Sequence, residues 1–262
     1  MMMNSDITPS PRLVLGFDLD KWDGYGHKEP IEIDLSPQSN SHILICGMSG
    51  SGKSYLEQAV LAKLSLAQPE GEIYFGDYKG DDSFSYLQGC PRYYSYKKTL
   101  EALEIVHSRL LARQSGKDTS RTPVTLIWDE YMAQAIALMS EDKKAAAAVM
   151  NMVSEILLLG RSLSVRLLIS CQRPDAIAFP AGSRLNYGVV AVLGAAVKSI
   201  YEMLLPDFKD EIQGRKFTRG EGVVLFQGSD LRYLKVPVIG NHERMKQICI
   251  SALTPRRPPG EA

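Results

Sequence analysis

An α/β domain with a largely parallel sheet flanked by helices is the fold class the sequence predicts, and three observations predict it. Short apolar runs alternate with helix-periodic stretches through the middle of the chain, the rhythm of strands joined by crossover helices. Apolar residues make up 45% of 262 residues and charged residues 23%, which permits a sizeable core. One junction, HILICGMSGSGKSYLEQAVLAKLS from His42 to Ser65, passes from apolar run to glycine-rich loop to helix.

Taken in order, residues 1–11 and 254–262 are polar and proline-rich and read as flexible ends of one unit over 12–253. RLVLGFDLD and IEIDLS are short strands flanking the glycine-rich KWDGYGHKEP, which predicts an antiparallel β-ribbon ahead of the core. HILICG is a buried strand, and KSYLEQAVLAKLSLA is a helix with apolar residues three and four apart. EIYFGD is the next strand, ending at Asp77, and after the loop YKGDDSFSYLQG a helix runs over about 98–114. VTLIWDE is a third buried strand. EDKKAAAAVMNMVSEILLLGR is a long helix whose apolar side includes Val149, Met152, Val153, Ile156 and Leu157. VRLLISCQRP is a fourth strand closed by Pro174, YGVVAVL a fifth and AAVKSIYEMLL a helix. EGVVLFQGSDLRYLKVPVI is a C-terminal hairpin turning at Gly228–Asp230. No internal repeat is visible.

The charge balance, 30 basic against 30 acidic residues, counts against a stand-alone nucleic-acid-binding module, which is usually basic overall. Cys46, Cys90, Cys171 and Cys249 lie far apart without metal or disulfide spacing, and read as reduced core thiols. The longest apolar run is too short to span a bilayer and the N-terminus has no signal-peptide core, so the reading is cytoplasmic with no intrinsic membrane span. A soluble piece of a membrane-anchored parent would read the same way.

GMSGSGKS, Gly47 to Ser54, fits G-x-x-x-x-G-K-[S/T] at every fixed position, with the required strand before it and helix after it. A triphosphate must be wrapped closely by backbone N–H groups. Gly47, Gly50 and Gly52 permit that approach and its dihedrals, and the helix start adds its dipole. Lys53 reaches the outer phosphates and the Ser54 hydroxyl is placed for Mg²⁺; Ser51 and Tyr55 complete the binding set. ATP and Mg²⁺ are the cofactors expected.

A carboxylate at the tip of the buried strand VTLIW suits the metal, which picks out Asp129, and Glu130 next to it is placed to polarise the attacking water. Gln172, at the end of VRLLISCQ, meets the γ-phosphate or water on one reading and closes its own strand-end loop on the plainer one. Arg161, ending the long helix, is either a cation offsetting the helix dipole or a finger donated across a subunit boundary.

In this order the motifs resemble the FtsK/HerA family of DNA-translocating ATPases, including conjugative coupling ATPases, over residues 12–240. The resemblance rests on LVLGFDL with IEIDL, on SHILICGMSGSGKS with its His42, on GDYKGDD and LIWDEY, and above all on LLGRSLSVRLLISCQRPDA. It implies a RecA-like P-loop NTPase core, Lys53 and Ser54 as nucleotide ligands, and Asp129 and Glu130 as metal and water-activating carboxylates. It implies Gln172 as γ-phosphate sensor, Arg161 as the trans finger, and Asp77 and Lys79 near the nucleotide or a subunit interface. The stretch is close to a bare motor core, without the family's winged-helix module.

The resemblance implies a homo-hexameric ring, monomeric when isolated at low concentration, acting on DNA with a relaxase or a membrane or secretion partner. Pooling a few cations per subunit in one pore lets a neutral protomer build a basic channel. Tyr93 to Lys98, Arg113 to Arg121 and Gly214 to Gly220 are the segments that offer them, although each reads first as a solvated loop. The leading expectation is an ATP-driven DNA translocase or coupling ATPase of a plasmid or mobile element. A protein-secretion ATPase on the same fold is the alternative, and a small-molecule P-loop kinase is the second. The kinase fits poorly with Asp129 beside Glu130, because a kinase must exclude water. A non-hydrolysing assembly protein ranks last.

Overall fold

A computed structural model describes residues 11–36, 39, 41–179 and 185–255. Of the expected flexible ends, 1–10 and 256–262 lie outside the described residues. The elements run β1 (Arg12–Asp18), α1 (Leu19–Tyr25), β2 (Pro30–Asp34), β3 (His42–Gly47), α2 (Lys53–Ala67), β4 (Glu72–Asp77), β5 (Tyr93–Ser95), α3 (Thr99–Gln114) and β6 (Val124–Asp129). They continue with α4 (Tyr131–Glu141), α5 (Lys143–Leu159), β7 (Val165–Cys171), β8 (Tyr187–Leu193), α6 (Lys198–Leu204), α7 (Lys209–Ile212), β9 (Glu221–Phe226), β10 (Asp230–Lys235) and α8 (His242–Ala252).

Among the described residues these strands form one ten-stranded sheet, in the order β2-β1-β10-β9-β8-β3-β7-β6-β4-β5. From β8 to β5 every pairing is parallel, and from β8 back to β2 every pairing is antiparallel. The expected ribbon and hairpin are therefore not appendages. β1 pairs with β10, so together they extend the parallel core by four strands. Gly16 lets β1 bend in beside β10, since a Cβ there would lie 2.6 Å from the Lys235 carbonyl.

The central strands are buried on both faces, which is why they read as unbroken apolar runs. On one face α3, α4 and α5 pack Leu103, Val106, Tyr131, Val153 and Ile156 against Trp128, Leu126 and Leu167. On the other, α2 and α8 bring Leu56, Val60, Met245 and Cys249 onto Ile43, Ile45 and Leu168. Each such side chain contributes roughly 1.5–3 kcal/mol. Cys46 and Cys171 face each other in the β3–β7 register, buried as free thiols.

Five elements were not expected. The glycine-rich connection 19–25 is helical, because Asp18 accepts the Lys21 N–H and Gly26, at φ 66°, closes the helix. β5, α4, α7 and α8 also go beyond the sequence reading. Among the described residues one helical stretch, Lys143–Leu163, could cross a membrane by length and composition, although the sequence led us to expect no span. Its Val149, Val153, Ile156 and Leu157 belong to the core beneath the sheet.

Candidate functional site

The parallel register brings the carboxyl ends of β3, β6 and β7 side by side, with Cys46 opposite Cys171 and Trp128 opposite Ile169. The glycine loop leaves β3 at this edge, where ligands of open parallel sheets bind. Gly50 and Gly52 hold φ of 83° and 99°, a region that favours glycine. Gly47 is needed for a different reason: a Cβ there would fall 2.4 Å from Ser51 Oγ. Ser51 is buried, packed between Gly47 and Gly194, and shapes the loop from inside. α2 starts without a side-chain cap, so its first amides are left for a ligand. They open onto a cavity of about 280 Å³ lined by Gly50, Gly52, Lys53, Ser54, Tyr55, Glu130, Gln172 and Arg219, among others.

Lys53 is buried and meets three carboxylates: Asp129 Oδ1 at 2.5 Å, Glu130 Oε1 at 3.3 Å and Glu57 Oε2 at 3.7 Å. Burial would lower the Lys53 pKa, but the charges of Glu57, Asp129 and Glu130 outweigh it and hold the ammonium above its usual range. Ser170 Oγ donates to Asp129 Oδ1 at 2.7 Å and accepts from Lys53 at 3.3 Å. Asp129 Oδ2 is buried with no hydrogen-bond partner. Asp129 does not itself line the cavity, which it meets through Lys53. Its orphaned oxygen and the Ser54 hydroxyl on the cavity wall are the oxygen donors that suit Mg²⁺ shared with phosphate oxygens.

Glu130 sits just past β6 at φ 56°, a left-handed conformation that costs a non-glycine residue roughly 1–3 kcal/mol. The turn points its carboxylate back at the lysine and into the cavity. Gln172, just past β7, reaches the same cavity, while its carbonyl accepts from Cys46 Sγ.

Arg161 does not join them. It lines a separate cavity of about 650 Å³ with His42, Tyr187 and Glu202, at the amino end of β3. Asp77 is buried at the end of β4, where it accepts from the Gly80 N–H at 2.7 Å and the Tyr93 hydroxyl at 2.7 Å, shaping the turn that carries Lys79 to the cavity rim. The Tyr55 hydroxyl accepts the Ile239 N–H, tying α2 to the approach to α8.

Sequence reasoning missed Glu57, Ser170 and Arg219. Glu57 lies one turn after Lys53 on α2, fully buried, and burial first and then the Asp129 charge push its carboxyl well above the usual range. Its i, i+4 spacing from Lys53 was the available signal. Of the basic segments, Arg113 is buried and spends its guanidinium on the carbonyls of Leu163, Ser164 and Thr122 and on Asp118, so it supports the fold. Arg215 pairs with Asp20 and stacks on Tyr233.

No protein-family model matches the chain, and no curated protein sequence matches it. Solved structures do. The cytoplasmic domain of the Thermomonospora curvata type VII secretion ATPase EccC is similar to it at TM-score 0.66 and 22% identity, over 95% of this chain and 32% of that one. The pCW3 conjugation coupling protein TcpA, in its monomer form with ATPγS, is similar at 0.64 and 20%, over 87% of this chain and 66% of that one. The genome packaging NTPase B204 of Sulfolobus turreted icosahedral virus 2, with ATP-γS, is similar at 0.50 and 14%, over 78% of this chain and all of that one. The chain spans about a third of the EccC chain and under two thirds of TcpA. At these identities the likeness shows the fold alone, the RecA-like α/β core that the resemblance in the sequence implied.

Proposed function

We propose that this chain is an ATP-hydrolysing motor subunit of the FtsK/HerA type that works as a homo-hexameric ring and moves DNA in conjugation or the transfer of a plasmid or mobile element. The observation that carries the reading is the convergence of Lys53, Asp129 and Glu130 in one cleft beneath the glycine loop. The loop amides of Gly47 to Ser54 and the α2 amino end hold the phosphates, and Lys53 turns from Asp129 toward the outer ones. Magnesium, when bound, neutralises charge on the phosphate oxygens; Ser54 and Asp129 would hold it. Glu130 takes a proton from the attacking water, and Gln172 orients that water or reports the γ-phosphate. Arg161 comes from the neighbouring subunit and stabilises transition-state charge.

A protein-secretion motor is the second reading. The likeness to EccC, covering more of this chain than the likeness to TcpA, favours it. A relaxase would be the recruiting partner on the first reading, and a membrane or secretion component on the second.

Steady-state ATP hydrolysis against protein concentration, with and without single- and double-stranded DNA, tests both. Steep concentration dependence with DNA stimulation is the expected result. Turnover that is linear in protein and indifferent to DNA would move the reading to secretion, or to a P-loop enzyme with a small substrate. Glu130→Gln is expected to keep nucleotide binding and lose roughly 100-fold or more in turnover, whereas Lys53→Ala should lose tight binding. Normal hydrolysis by Glu130→Gln would sink the assignment of the water-activating residue.

A further inference from the structure

Arg219 sits far along the chain from the glycine loop, yet the fold fixes it there. The Gly220 N–H donates to the Ser51 carbonyl at 2.8 Å. Gly220 also packs directly on Gly52, where an added Cβ would come within 3.1 Å of the Gly220 nitrogen and 3.7 Å of Arg219 Cγ. The strand that follows is pinned by the Gly194 N–H on the Glu221 carbonyl at 2.7 Å, and Thr218 N–H donates to the Glu221 carboxylate at 2.9 Å. Arg219 is thus held on a backbone clamped to the loop, with its side chain on the cavity wall beside Gly52 and Lys53.

Charge balance says why a cation is needed at that wall. Lys53, the loop's own cation, already faces Glu57, Asp129 and Glu130. Lys79, which also lines the cavity, has Asp81 at 3.8 Å. Among the described residues no carboxylate lies within ion-pair distance of Arg219. A planar guanidinium with paired donors suits phosphate oxygens better than a point charge does.

We propose that Arg219 is a nucleotide-binding residue acting in cis, its guanidinium completing the phosphate cradle on the Gly52 side. The proposal rests on the reading of this cavity as an ATP site. It takes one residue out of the pool that a polymer-binding surface would use, since the sequence placed Gly214 to Gly220 among the DNA-facing segments.

The test is nucleotide affinity without DNA, read with a fluorescent ATP and a fluorescent ADP analogue in the presence of Mg²⁺, for wild type, Arg219→Ala and Arg219→Lys. Arg219→Ala is expected to weaken both nucleotides about tenfold, the size of one charge-assisted hydrogen bond, and Arg219→Lys to recover part of the loss. Arg219 is exposed, so truncation removes no core contact, and a thermal melt checks that the variants are folded. Unchanged nucleotide affinity in Arg219→Ala overturns the proposal. If DNA affinity falls instead, the residue is a polymer contact. Wild-type protein that binds neither analogue would overturn the ATP-site reading itself, a different result from a failure of Arg219 alone.

Discussion

His42 shows how one side chain is set by its surroundings. It opens β3, is buried, and its Nδ1 accepts the Leu167 N–H at 3.0 Å, while Nε2 is buried without a partner. Burial, and then the charges of Arg166 and Arg161, press its pKa down to about 3. In the unfolded chain it titrates near its ordinary value of about 6.5. Between those values the unfolded state binds the extra proton, so stability rises with pH there and is lost as pH falls from about 6.5 toward 3. The slope from this residue reaches about 1.4 kcal/mol per pH unit. Urea unfolding midpoints from pH 7.5 to 4, wild type against His42→Gln, measure it. The wild type should fall more steeply, and parallel slopes would show that His42 is not the group responsible.

At the scale of elements, most of the sheet was legible and several helices were not, for physical reasons. Strands β3, β6, β7 and β8 are buried on both sides, so each leaves an unbroken apolar run between turn residues. α1 was hidden because Gly24 and Gly26 read as turn residues, although the second is its C-cap. α4 begins directly after Glu130 with no turn signal, its reversal made by one strained residue. α8 buries only Met245 and Cys249 of its own span, too narrow a stripe to stand out. The site divides the same way. The glycine loop and Asp129–Glu130 are local patterns, whereas Ser170 and Arg219 reach the loop only through strand pairing and the returning hairpin. α8 is held to α2 through the buried Cys249 and through Ile239, whose N–H donates to the Tyr55 hydroxyl. Tyr55→Phe deletes that acceptor and should cost about 1 kcal/mol, seen as a lower thermal midpoint. An unchanged midpoint would mean the hydroxyl contributes nothing to holding the segment that leads into α8.

For the whole molecule, the placement of Arg161 decides what a single subunit can do. The glycine-loop cavity opens at the carboxyl end of β3, and Arg161 lies with His42 at the other end. Six residues of strand at about 3.3 Å each separate the two ends by roughly 17–20 Å, farther than an arginine side chain extends. Arg161 therefore cannot serve its own subunit's phosphates, and any catalytic role requires a neighbour's site. In a ring built from a heterologous interface, each subunit gives its Arg161 face to the next subunit's cavity. Arg161→Ala and Glu130→Gln should then each be inactive alone, for different reasons. The first keeps its carboxylate and lacks a donated arginine, and the second keeps the arginine and lacks the base. Mixed in equal amounts, about a quarter of interfaces would join an intact Glu130 to an intact Arg161 if subunits associate at random. ATP turnover of the mixture should rise above that of either variant and peak near equal proportions. A flat response across all ratios would leave Arg161 as a residue of the lower cavity and the ring without a shared site.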